Sequence, residues 1–500
     1  MGSQEVSASQ DSWKGLRVTV AGLGVSGVSV ARALAGLGAA VTVVDGGSGP
    51  ALQARAAELA EAGVAVRLGD AETLPEGTGL VVTSPGWKPD SPLFAAAAAA
   101  GVDVIGDVEV AWRLRGPGAA PWLAVTGTNG KTTTTQMLAS ILRADGLRTA
   151  AVGNIGTPIV DVVLEDRAAR AARAAEAGDE RREDDNAYDV LAVELSSYQL
   201  HWAPSLRAHS AAVLNLAPDH LDWHGSMEAY AADKGRIYEG NQVACVYNAD
   251  ATAKPSTEDL VREADVEEGC RAIGFTLAAP APSQLGVVEG ILVDRAFVPD
   301  RQKQAQELAE VSDVRPPAPH NIANALAAAA LARAFGVAPQ AVRDGLRAFS
   351  PDAHRIEHVA DVAGVAYVDD SKATNTHAAQ ASLAAYESIV WIAGGLAKGA
   401  TFDELVAASA KRLRGAVLIG ADRALIREAL ARHAPQVPVV DLDRTDTGAM
   451  AEAVRQAARL AAPGDTVLMA PACASMDMFT NYNKRGDAFA EAVRELGASA

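Results

Sequence analysis

The run Thr126-Gly127-Thr128-Asn129-Gly130-Lys131-Thr132-Thr133 combines small residues with one lysine, the composition that cradles phosphates. In such a loop backbone amides face phosphate oxygens, Lys131 neutralises the terminal ones, and the Thr132 hydroxyl can ligate magnesium. A strict phosphate-loop pattern would place glycine where Val125 stands, so this is a compact variant. A second glycine run, Gly22-Leu23-Gly24-Val25-Ser26-Gly27, follows an apolar stretch, and Asp45 closes the next one. Its glycines would let the backbone approach a diphosphate. Taken alone, it fits a dinucleotide enzyme, or simply a tight strand-to-helix turn. Glu194, His220 and Lys234 are dispersed. A carboxylate and an imidazole at strand ends suit a magnesium site, because a hard cation prefers oxygen and tolerates one nitrogen; a lone histidine is as readily a structural residue. The last group is Asp370-Ser371-Lys372-Ala373-Thr374-Asn375, Gly394-Gly395 and Ser475, each where the chain leaves an apolar run. These side chains suit an amino-acid substrate, or they cap helices.

The elements that must position these groups follow from periodicity. LRVTV, a glycine turn, an Ala/Leu-rich stretch from Val28 to Ala35 and then VTVV make a βαβ unit. PWLAVTGTNGKTTTTQMLASILRADG repeats the pattern, with a strand over Leu123–Val125 and a helix through Ile141, so a new domain is expected to start near Pro121 after the Gly/Pro-rich RGPGAAP. From about Ser350 the strands VAYVDD, SIVWIAGG, GAVLIG and DTVLMAPA alternate with Ala-rich helices, the pattern of a mostly parallel sheet. HNIANALAAAALARAF is apolar on most sides and is predicted to be buried. The charged stretch from Glu165 to Asp185 has no apolar face and reads as an exposed insertion without a catalytic role.

Bulk properties narrow the function classes. With 500 residues, three domains are expected. Net charge −18 repels polyanions at long range, so nucleic acid is not an expected partner and any phosphate ligand must meet a local positive site. The N-terminal stretch is polar and Ala95–Ala100 is too short to span a bilayer, so a cytoplasmic chain without a membrane partner is expected. Cys245, Cys270 and Cys473 show no zinc or redox spacing and read as reduced bystanders.

TGTNGKTTTT, GNIGTP, ELSSYQL, LNLAPDHLDWHG, HNIANALAA, AHRIE, DDSKATN and PACASMDMF occur in one order and at spacings that together resemble the Mur ligase family. The likeness covers nearly the whole chain. It implies an α/β fold of three domains: a Rossmann-like N-terminal domain over 1–118, a central P-loop-type ATPase domain over 119–349, and a C-terminal Rossmann-like α/β domain over 350–500. It also implies an ATP-dependent ligase using Mg2+, which activates a carboxylate as an acyl phosphate and forms an amide. Within the family, the N-terminal glycine loop followed by SPG, and DDSKATN, point to members that add D-glutamate to UDP-N-acetylmuramoyl-L-alanine. The alanine-, diaminopimelate- and folate-specific cousins remain rivals, as do an NAD-dependent oxidoreductase and a nucleotide-binding regulator. By the resemblance, Gly127 through Thr133 with Asn324, Arg355 and Asp370 would bind ATP. Thr132, Glu194, His220 and Lys234 would serve the metal, Lys234 being the position that the family carbamylates. Val25, Ser26, Asp45, Gly86, Asn154 and Ser196, with His220, would meet the UDP-sugar. Thr374, Lys398, Ser475 and Tyr482 would grip D-glutamate, and Lys372 would lie near the transferred phosphate; Lys131, His220, Lys234 and Lys372 would carry the chemistry. Leu396 stands where relatives often have an acidic residue, and Tyr482 replaces a frequent phenylalanine. A monomer is expected.

Overall fold

Runs of β-branched residues such as Arg17–Ala21 and Ile389–Gly394 pack on a pleated surface and are buried along most of their length, as strands covered on both faces must be. The computed structural model describes residues 12–177, 186–444, 446 and 448–498. They form two units: one comprises the described residues up to Val314 with Ile322–Phe349, the other Arg315–Asn321 with those from Ser350 onward.

The first unit holds two sheets. The N-terminal one joins β1 (Arg17–Ala21), β2 (Ala40–Asp45), β3 (Ala65–Leu68), β4 (Leu80–Thr83) and β5 (Val104–Gly106), all parallel, in the order β3-β2-β1-β4-β5. Strand order reverses at β1, so the glycine loop leaves the sheet where doubly wound folds open a ligand crevice. A Cβ on Gly27 would lie 1.9 Å from the Gly22 carbonyl oxygen, which is why the helix Val25–Gly36 needs glycine there.

The second sheet has β6 (Trp122–Thr126), β7 (Ala151–Gly153), β8 (Leu191–Glu194), β9 (Ser210–Val213), β10 (Ala244–Asn248), β11 (Arg271–Phe275), β12 (Gln284–Val288), β13 (Ile291–Asp294) and β14 (Gln306–Glu310). Its order is β14-β13-β12-β11-β10-β9-β6-β8-β7, and β12, β13 and β14 run antiparallel. The helix Pro319–Ala334 is buried as expected, Ala325 through Ala332 being sealed from solvent.

In the second unit, β15 (Glu357–Val362), β16 (Val365–Asp369), β17 (Ile389–Gly394), β18 (Leu413–Ile419), β19 (Val439–Asp441) and β20 (Thr466–Met469) follow the order β15-β16-β20-β17-β18-β19. Only β15 is antiparallel, so the loops after β16, β20 and β17 leave three adjacent strands at the same edge.

One expectation needs correction. The charged stretch after Glu165 is not wholly an exposed insertion: it begins inside the helix Ile159–Ala177, where buried Asp166 accepts hydrogen bonds from the amides of Ala187 (2.9 Å) and Tyr188 (3.3 Å), and Arg170 donates to the Arg115 carbonyl at 2.5 Å. Residues 178–185 of that stretch lie outside the described residues. The cysteines are free thiols, as expected, although Cys245 and Cys270, distant in sequence, stand 3.8 Å apart at sulfur because β10 and β11 are neighbours.

Candidate active site

The phosphate loop leaves β6 and enters the helix Lys131–Ala144. Gly127 and Gly130 have φ of +153° and +85°, and a Cβ on Gly130 would lie 2.3 Å from Asn324 Oδ1, so the turn needs glycine and brings Asn324 to its rim. Asn215 braces the turn: its carbonyl accepts from the Thr128 amide (3.0 Å), its Oδ1 accepts from the Asn129 amide (2.9 Å), and its Nδ2 donates to the Asn129 carbonyl (3.0 Å). The Thr128 hydroxyl, buried, accepts from the Ala217 amide (3.0 Å) and bonds the Tyr230 hydroxyl (3.0 Å). The amides of Thr128 and Asn129 thus shape the loop, and the outward donors are those at the helix start, from Gly130 through Thr133.

Two lysine side chains converge on one carbonyl. Lys131 Nζ donates to the carbonyls of Gly127 and Thr128, both at 2.9 Å, and Lys234 Nζ, from the helix Met227–Gly235, donates to Gly127 at 2.9 Å and to Thr126 Oγ1 at 3.4 Å. Lys234 is buried, and desolvation, reinforced by the Lys131 charge, holds its amine well below the ordinary lysine value. Beside it, at the end of β8, Glu194 is 1% exposed; its Oε1 accepts from Asn154 Nδ2 at 2.8 Å, while Oε2 is buried without a hydrogen-bond partner. A bare buried carboxylate oxygen is costly, and a divalent cation is the ligand that would satisfy it. His220 adopts φ +55°, lies 4.9 Å from the Tyr198 ring, and has its protonation depressed first by burial and then by Lys131 and Lys234, against the pull of Asp219. That shift favours the neutral imidazole, the form that offers a lone pair to a metal. Lys131, Asn154, Ser196, Ser197, Tyr198, Asp219, His220, Tyr230 and Lys234 line one cavity of about 190 Å³. Five of these, Lys131, Asn154, Ser196, His220 and Lys234, were singled out from sequence. Ser197, Tyr198, Asp219, Tyr230 and the bracing Asn215 were not, although all but Tyr230 stand inside the quoted motifs.

At the other glycine loop, Asp45 Oδ2 accepts from the Leu23 amide (2.7 Å) and Oδ1 from the Gly47 amide (2.8 Å), fixing the turn. Val25 is 66% exposed, unusual for a large aliphatic side chain, and Gly86, at φ +101°, has open space where a side chain would go. Ser26 hydrogen-bonds Asp107, whose carboxyl is raised by complete burial.

The remaining predicted residues belong to the second unit. Lys372 Nζ lies 4.0 Å over the Tyr482 ring, and the Ser371 hydroxyl donates to the Tyr482 carbonyl at 2.7 Å. Thr374 follows in the same loop, its amide donating to the Lys372 carbonyl. Leu396 and Ala474 exchange two 2.9 Å backbone bonds, tying the loop that carries Lys398 (φ +50°) to the one that carries buried Ser475. Asp370 is buried and bonded by Ser382; desolvation raises its carboxyl to about 6, with Arg355 pulling the other way.

Comparison with known proteins fits this arrangement piece by piece. Residues 16–106 match the family model of the MurD-like Mur ligase N-terminal domain, 125–332 that of the Mur ligase middle domain, and 354–473 that of the Mur ligase glutamate ligase domain. The UDP-N-acetylmuramoylalanine--D-glutamate ligase of Streptomyces avermitilis is 77% identical over 486 residues, covering 97% of this chain and 99% of its own. The chain belongs to the Mur ligase family. The enzyme of the same name from Streptomyces coelicolor is also 77% identical, over 489 residues, with the same shares covered. Among solved structures, the MurF ligase of Thermotoga maritima in complex with ADP aligns over 92% of this chain and 96% of its own, with TM-score 0.55 and 16% identity, a likeness of Mur ligase fold. The chain accordingly has the three α/β domains of a Mur ligase.

Proposed function

We infer that this Mur ligase joins D-glutamate to UDP-N-acetylmuramoyl-L-alanine, converting ATP to ADP and phosphate, as a step of peptidoglycan precursor synthesis. The observation that carries the reading is 77% identity, over nearly the full length of both chains, to enzymes named for that ligation. The domain limits proposed are 1–118 for the UDP-substrate, 119–349 for ATP and 350–500 for the amino acid. The chain is proposed to act as a cytoplasmic monomer; among the described residues no helix is long and apolar enough to cross a membrane.

A carboxylate does not acylate an amine at neutral pH because its oxygen leaves poorly, so it must first be phosphorylated. Lys131, with the amides that open its helix, offsets charge on the ATP phosphates while the substrate carboxylate attacks the γ-phosphorus. Asn324, Arg355 and Asp370 are assigned to the rest of the nucleotide. The amine of D-glutamate then displaces phosphate from the acyl carbon, with Thr374, Lys398, Ser475 and Tyr482 orienting the amino acid and Lys372 stabilising the charge that develops. Val25, Ser26, Asp45, Gly86, Asn154 and Ser196 are assigned to the UDP-sugar. Glu194, His220 and Thr132 are the groups suited to magnesium, which when bound would act as a Lewis acid on phosphoryl oxygens. Lys234 is the proposed carbamylation site: burial shifts its amine toward the neutral form that adds to carbon dioxide with loss of a proton, and the product is a carboxylate-like ligand. A carbon-13 carbamate resonance lost in Lys234→Arg would support that assignment, and its absence from the parent would refute it. The reaction is tested by phosphate release that requires UDP-N-acetylmuramoyl-L-alanine and D-glutamate together; release with neither, or a product lacking the glutamyl mass, would overturn the reading.

A further inference from the structure

Arg485, in the helix Tyr482–Ala498, is 1% exposed and among the largest fully buried side chains of the chain. Its guanidinium reaches all three loops that leave β16, β17 and β20. Nε donates to Ser371 Oγ at 3.0 Å and Nη2 to the Ser371 carbonyl at 2.9 Å; Nη1 donates to the Cys473 carbonyl at 3.0 Å and the Gly394 carbonyl at 3.5 Å. Those loops carry Lys372 and Thr374, Lys398, and Ser475, while the Ser371 hydroxyl that accepts from Arg485 itself donates to the Tyr482 carbonyl. Every hydrogen-bond acceptor is a neutral oxygen; among the described residues no carboxylate lies within ion-pairing distance of Arg485, and Asp477 and Asp369 offset its charge only from farther away. Burial lowers the guanidinium to about 10, which still leaves it charged at neutral pH. A buried cation without a directly paired carboxylate is a cost to folding, and such groups cluster at functional sites.

We propose that Arg485 is a positioning residue for the amino-acid substrate: its fork holds the three loops in one geometry, and its buried charge, not directly paired with a carboxylate, favours a dicarboxylate over a neutral amino acid. The inference rests on the D-glutamate ligase reading above and deepens it. Lysine cannot substitute fully, because one ammonium lacks the planar fork that spans three loops.

The test compares Arg485→Gln, which removes the charge, with Arg485→Lys, which keeps it, each against D-glutamate and D-glutamine at saturating ATP and UDP-N-acetylmuramoyl-L-alanine. For Arg485→Gln the KM for D-glutamate is expected to rise on the order of tenfold and the preference over D-glutamine to fall with it, the KM for ATP staying within about twofold. Arg485→Lys is expected to lose kcat while keeping the preference. Equal losses on the two amino acids in Arg485→Gln, or an unchanged KM for D-glutamate, would overturn the proposal. Should Arg485→Gln fail to fold, Ser371→Ala carries the test. It takes one hydroxyl from the same network and is expected to raise the KM for D-glutamate roughly threefold without changing that for ATP; no change in either would overturn the proposal. Parent enzyme with no turnover of D-glutamate would instead defeat the ligase reading itself.

Discussion

Lys131 and Lys234 share the Gly127 carbonyl but lie in different surroundings, and that contrast assigns their work. Lys131, half-buried at a helix start, is placed to meet phosphate; its replacement by alanine should cut phosphate release on the order of 10²–10³-fold while calorimetry finds UDP-substrate binding little changed. Equal loss of both would contradict the separation of the two glycine loops. Lys234 is buried and its amine is depressed below 10.5, so the folded chain binds fewer protons there than the unfolded one. Stability from this group therefore rises with pH and is lost as pH falls through the depressed value. In carbon-dioxide-free buffer the parent's unfolding midpoint should drop more steeply on acidification than that of Lys234→Met; parallel curves would show that the amine is not desolvated. The sequence identified both lysines. It did not show that Asn215 consumes two of the loop's amides, one with its carbonyl and one with its side chain, because a residue reaching back from a neighbouring strand end leaves no local signature.

Among the elements, the helix that begins at Lys131 is held from behind by the helix Pro339–Ala348, at a contact too close for any side chain. A Cβ on Gly345 would lie 2.4 Å from Ile141 Cα, and Ser140 Oγ donates to the Gly345 carbonyl at 2.7 Å. Gly345→Ala should cost about 2 kcal/mol in denaturant unfolding, with overpacking forcing the helices apart; a neutral substitution would mean that the pair is loosely packed. The βαβ units were legible because apolar period and glycine turns agree locally. The antiparallel strands β12 to β14 were not, since they interrupt a parallel pattern; their signal was Glu289-Gly290, both at positive φ, a two-residue turn between apolar runs. Asp166 escaped notice for another reason: a charged helical run reads as solvated until a returning chain, here Ala187 and Tyr188, covers one of its carboxylates.

At the scale of the whole molecule, a chain of net charge −18 is assigned substrates that are all anionic. Local cations must therefore outweigh the overall field: Lys131 in the first unit, and Lys372 with buried Arg485 in the second. Domain order was legible because eight motifs fell in one sequence, whereas the role of Arg485 required knowing that three strands remote in the chain are neighbours in one sheet. The account stands on carboxylate activation by phosphoryl transfer, and oxygen bookkeeping tests that step directly. With the carboxylate of UDP-N-acetylmuramoyl-L-alanine labelled with oxygen-18, each amide formed should send one labelled oxygen into the inorganic phosphate, detected by mass spectrometry. Phosphate released without label, while labelled amide accumulates, would contradict the acyl phosphate.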